Sequence, residues 1–102
     1  MSKPIECFLS GLKITYRIDR LVRFMKLVKI EYGEMLPKDL KEGILSELYN
    51  IDTLVAASGE CMDEENYRNL RDTIKYVKDA LAKRGELLPQ YLESCIAKKA
   101  GD

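Results

Sequence analysis

The chain has 102 residues, with 17 Lys and Arg against 17 Asp and Glu, and neither His nor Trp. This length supports one domain with a modest core and is too short for a catalytic domain joined to a cofactor domain. Without histidine the chain lacks the commonest general base, the commonest metal ligand and the simplest switch near neutral pH.

With 46% hydrophobic and 33% charged residues, the composition is that of a folded globular protein. Cys7, Cys61 and Cys95 are odd in number, widely separated and contain no CxxC pair. They indicate neither a disulfide framework nor a zinc site, and the expectation is a reduced, cytoplasmic protein without cofactor. Residues 1–11 hold one early lysine and too short an apolar run for a secretory leader. No later segment reaches the ~18 uninterrupted apolar residues of a membrane span, so no membrane is expected among the partners. Gln90 is the only glutamine and Asn occurs three times, a depletion of thermolabile amides found in hyperthermophile proteins.

The first element runs to Tyr32. Ile14, Ile18, Leu21, Met25, Val28 and Tyr32 recur at steps of 4, 3, 4, 3 and 4, which places them on one helical face. Within it, residues 12–18 also alternate apolar and polar as a half-buried strand would. The helical period runs through that stretch and continues for two further turns, which favours helix. Gly33 stands where a left-handed cap ends a helix, and Pro37 opens the second helix. The second helix carries Leu40, Ile44, Leu48, Ile51 and Val55 on one face and stops at Ser58-Gly59. Asp63 caps a third, with Glu64 and Glu65 in its first turn, the stripe Tyr67, Leu70, Ile74, Val77 and Leu81, and Lys83-Arg84 before Gly85. Pro89 opens a shorter fourth helix through Tyr91, Leu92, Cys95 and Ile96, and residues 98–102 are expected to fray. The fold class is therefore all-α, a single domain over residues 1–102 built as a small bundle of antiparallel hairpins.

Gly33-Glu34-Met35-Leu36-Pro37 is echoed 52 residues later by Gly85-Glu86-Leu87-Leu88-Pro89. A duplicated hairpin would produce this echo. So would convergence, since Gly stops a helix and Pro starts one.

Helix 1 differs from helix 3 in carrying apolar residues on two sides. Its main stripe is backed by Leu12, Tyr16, Leu27 and Ile30, with Phe24 on the flank, and 12 of the 21 residues from Leu12 to Tyr32 are apolar or aromatic. Such a helix requires cover on two sides. The expected cover for the second stripe is its own copy in a homodimer, with Leu12, Tyr16, Phe24, Leu27 and Ile30 at the interface; the alternative is a central helix wrapped by the other three.

Lys13, Arg17, Arg20 and Arg23 also gather on helix 1, interleaved with Tyr16 and Phe24. Basic and aromatic side chains in this arrangement can serve phosphates and stacked bases, which makes nucleic acid the rival partner. The zero net charge argues against it. Ser10-Gly11-Leu12-Lys13 matches S-x-x-K, yet the accompanying S-D-N and K-T-G are absent. No glycine-rich phosphate loop exists, and consecutive Asp63, Glu64 and Glu65 point in different directions on a helix. No catalytic or metal-binding residue is assigned, and a non-enzymatic interaction or regulatory module is expected.

The charge balance conceals a strong segregation. Residues 1–33 hold 7 basic and 3 acidic side chains, residues 34–66 hold 2 and 9, and residues 67–102 hold 8 and 5. Basic helices 1 and 3 should therefore pair with acidic helix 2, within one chain or across a dimer.

Overall fold

The computed structural model describes residues 4–100, with side chains described for residues 4–96. Four helices follow one another: α1 (Pro4–Tyr32), α2 (Lys38–Ala57), α3 (Glu64–Arg84) and α4 (Pro89–Ala100), with a 3₁₀ turn at Gly59–Cys61 between α2 and α3. The stretch 12–18 is helix, so the 3.6-residue period prevails over the local alternation. α4 is continuous through Ala100, and the expected fraying of 98–102 concerns side chains and terminal residues outside those described.

Short connectors turn the chain back at each step. Gly33 and Gly85 both take a left-handed backbone, with φ of 58° and 65°, and their N–H groups close onto the carbonyls of Lys29 and Leu81 at 2.9 and 3.0 Å. Only glycine takes this conformation without the Cβ penalty. Pro37 stands immediately before the first residue of α2, and Pro89 is the first residue of α4. The echo between the two connectors thus coincides with two left-handed glycine caps, each followed four residues later by a proline at a helix start, and a duplication is not confirmed. Asp63 caps α3 by accepting the Asn66 N–H at 3.4 Å.

α2 packs against α1 and α3, and α4 closes the bundle against α3 and α1. The core is drawn from the stripes: Ile14, Ile18, Leu21, Val22, Met25 and Val28 from α1; Ile44, Leu48, Ile51 and Val55 from α2; Ile74, Val77 and Leu81 from α3; Leu92 from α4. Leu87, in the last connector, joins them. Of the expected stripes of α1 to α3, Tyr32, Leu40, Tyr67 and Leu70 lie outside this buried set; Tyr32 is exposed at the end of α1, Leu40 and Leu70 pack partly buried against the core, and Tyr67 packs partly buried beside Gly59. A Cβ at Gly59 would meet the Tyr67 ring at 3.2 Å, so glycine permits that approach.

One expectation is overturned. Cys7 and Cys61 are joined in a disulfide that spans 54 positions, their Cα atoms 5.2 Å apart. Their separation in sequence carried no sign of this, because the pairing arises only when the start of α1 lies beside the 3₁₀ turn. The cysteine count therefore does not indicate a reducing compartment for this chain. Cys95, expected as a buried hydrophobe, is half-buried, with its Sγ 3.6 Å from the Tyr91 carbonyl oxygen.

Candidate self-association surface

α1 is the longest element, 29 residues or about 43 Å at 1.5 Å per residue. α2 and α3 have 20 and 21 residues, so α1 outruns them by roughly 12 Å. All its buried residues lie between Ile14 and Val28. The first ten residues, Pro4–Lys13, bury none of their side chains fully and are tied down by the Cys7–Cys61 bond.

The second stripe is uncovered by its own chain. Leu12, Tyr16, Phe24, Leu27 and Ile30 are all exposed, from 43% for Phe24 to 82% for Ile30. Ile5, Phe8 and Leu9 are exposed as well and extend the stripe into the first turns of α1. These three are not among the residues the sequence reading assigns to the stripe, although Ile5, Leu9, Leu12 and Tyr16 follow steps of 4, 3 and 4. At 100° per residue, Ile5, Leu9, Leu12, Tyr16, Leu27 and Ile30 fall within about 60° of one another, diametrically opposite the buried stripe. Phe8 and Phe24 flank them on either side.

A polar interval divides the stripe. Asp19, Arg20 and Arg23 stand on the same face between Tyr16 and Leu27. Arg23 Nε lies 3.1 Å from Asp19 Oδ2, and the Arg20 guanidinium lies 5.5 Å from the centre of the Tyr16 ring.

Of the four candidate phosphate-binding residues of α1, Lys13, Arg20 and Arg23 are exposed and Arg17 is half-buried. Arg17 is forked onto Glu47 of α2, Nε to Oε2 at 3.1 Å and Nη2 to Oε1 at 3.0 Å. Arg23 is paired with Asp19, Arg20 lies over Tyr16, and Lys13 is exposed. On the other side of α2, Arg71 forks onto Asp52 at 2.8 and 3.4 Å and donates to the Tyr67 hydroxyl at 2.9 Å. The bond to Tyr67, then that to Asp52, holds the Arg71 guanidinium above its already high ordinary pKa. Acidic α2 therefore receives one arginine from each neighbouring basic helix, as the charge segregation implied. Lys26 of α1 reaches Glu93 of α4 at 2.8 Å.

Together, fold and surface define an antiparallel four-helix bundle with one outward apolar helix face. Comparison with known protein families, with curated proteins and with solved structures finds no match for this chain. Among the described residues no helix is long and apolar enough to cross a membrane, so the outward face of α1 is not a span.

Proposed function

We propose that the chain is a non-enzymatic interaction module that self-associates as a homodimer through α1. The observation that carries this is the row of exposed apolar side chains on α1 opposite the core, Leu12, Tyr16, Leu27 and Ile30 with Phe24 on its flank. Its polar interval is self-complementary in an antiparallel, two-fold arrangement of two α1 helices. Centring the pair on Leu21 sets Asp19 of one copy opposite Arg23 of the other, and Leu12 opposite Ile30. Isologous pairing of this kind needs only one surface. With Asp19 and Arg23 exchanging partners across the axis, the bonds each makes along its own helix are replaced rather than lost. Engagement of Arg17 by Glu47 and of Arg23 by Asp19 leaves less free charge for phosphate than the sequence suggested.

Light scattering during gel filtration tests the proposal. Wild type should elute with twice the chain mass at micromolar concentration, and Leu27→Glu should elute as a folded monomer. Asp19→Arg alone should weaken the dimer at least tenfold, because like charges then face each other at the axis. The double change Asp19→Arg with Arg23→Asp should restore it. A wild-type monomer, or a Leu27→Glu protein of unchanged mass, removes self-association. Tight binding to duplex DNA that falls steeply with salt would point instead to Lys13, Arg17, Arg20 and Arg23 as a phosphate-binding flank.

A further inference from the structure

On a different side of α1 from the apolar stripe, a cavity of about 520 Å³ opens between α1, the 3₁₀ turn, α3 and α4. Its volume lies within the range of small-molecule sites, about 300–1,000 Å³. Its floor is apolar: Ile14 and Ile18 of α1, Leu70 of α3 and Ile96 of α4.

The composition of its wall is far from that of the chain. A third of all residues are charged, yet among the seventeen described residues lining the cavity Asp63 alone is. The Asp63 carboxylate is already engaged in capping α3 through the Asn66 N–H. Conversely, seven of the chain's eleven serines, threonines and asparagines stand in this wall. Ser10 and Thr15 come from α1, Asn66, Asn69 and Thr73 from α3, and Ser94 from α4. Ser58, the seventh, is buried, and its hydroxyl donates to the Leu54 carbonyl at 2.9 Å.

We infer that this cavity is a binding site for an uncharged small molecule with an apolar body and a hydrogen-bonding edge. The floor removes apolar surface from water, and the hydroxyls and amides of the rim offer both donors and acceptors to a carbonyl, hydroxyl or amide group. An anionic ligand would lose hydration here without meeting a countercharge, since no Lys or Arg is among the described lining residues, and the one carboxylate, Asp63, already faces the N-terminus of α3. A ligand without polar atoms would cover the rim without bonding it. Uncharged molecules with a polar edge satisfy both halves of the wall.

The test uses two dyes of comparable size on the intact, oxidised chain: Nile red, uncharged with a carbonyl acceptor, and the anionic anilinonaphthalene sulfonate. Nile red fluorescence should saturate at one dye per chain, with a Kd at least tenfold below that of the anionic dye. Thr73→Arg and Asn69→Arg should each weaken Nile red at least tenfold. Leu27→Glu, on the opposite side of α1, should change it by less than twofold, which separates this site from the apolar stripe. Asn69 is exposed, so its variant carries the test if Thr73→Arg fails to fold. The inference is overturned if Nile red does not saturate, if both cavity variants bind as wild type, if Leu27→Glu abolishes binding, or if the anionic dye binds as tightly.

Discussion

Gly43 and Leu48 face opposite ways on α2, and the energetics of the bundle can be read from the contrast. Gly43 is exposed, has no heavy atom within 4 Å of where a Cβ would stand, and keeps an ordinary helical backbone. Gly43→Ala should stabilise the chain by about 0.5–1 kcal/mol, because alanine has less backbone entropy to lose. Leu48 is fully buried, and Leu48→Ala should cost about 2–5 kcal/mol through lost apolar burial and the cavity left behind. Urea unfolding followed by circular dichroism measures both, and the two must differ in sign. Gly85→Ala provides the control: at φ 65° the added Cβ strains the cap, so this alanine destabilises. The buried positions were legible from sequence because a period of 3.6 leaves little choice of inward face for α2 and α3. Individual pairings such as Arg17 with Glu47 were not. Charge segregation named the partner helices, but register along them depends on how the stripes interdigitate.

At the level of the element, α1 is two helices in one. From Ile14 to Val28 it is a bundle helix held by the core; from Pro4 to Lys13 it is an overhang without a fully buried side chain, bonded through Cys7 to the 3₁₀ turn. Joining positions 54 apart lowers the entropy of the unfolded chain, an effect worth up to about 4 kcal/mol for a loop of this size. Cys7→Ser should therefore lose about 2–4 kcal/mol in urea under non-reducing conditions, and wild type in reductant should match it. Hydrogen exchange should locate the loss of protection first in residues 4–13, ahead of the core turns of α1. A variant within 1 kcal/mol of the oxidised protein would show that closing this loop adds little to stability. Caps and connectors were readable because Gly, Pro and Asp have distinct backbone chemistry. The 3₁₀ turn and the disulfide were not, since each depends on where distant segments meet. The uncovered stripe was half legible: its residues and the need for cover came from periodicity, whereas its extension through Ile5, Phe8 and Leu9 emerged only with the overhang.

Over the whole molecule, the zero net charge resolves into two arginine forks that converge on α2 from either side, Arg17 to Glu47 and Arg71 to Asp52. Half-exposed pairs of this kind each contribute about 1 kcal/mol or less, so they orient the helices more than they stabilise them; the apolar stripes supply the bulk of the stability. Facing outward are the α1 stripe with its paired Asp19 and Arg23 and, on another side, the cavity whose described wall carries one charged residue, Asp63. The disulfide adds a property that neither surface nor core has. Between Cys7 and Cys61 the backbone and the S–S bond form a closed covalent ring containing most of α1, the first connector and all of α2, with α3 and α4 as its tail. Met35, 82% exposed, lies on that ring in the first connector. A protease cutting there would open the backbone without releasing a fragment. On denaturing gels the nicked chain should keep its full mass until reductant is added and then fall into two pieces. If the pieces separate without reductant, the ring is not closed.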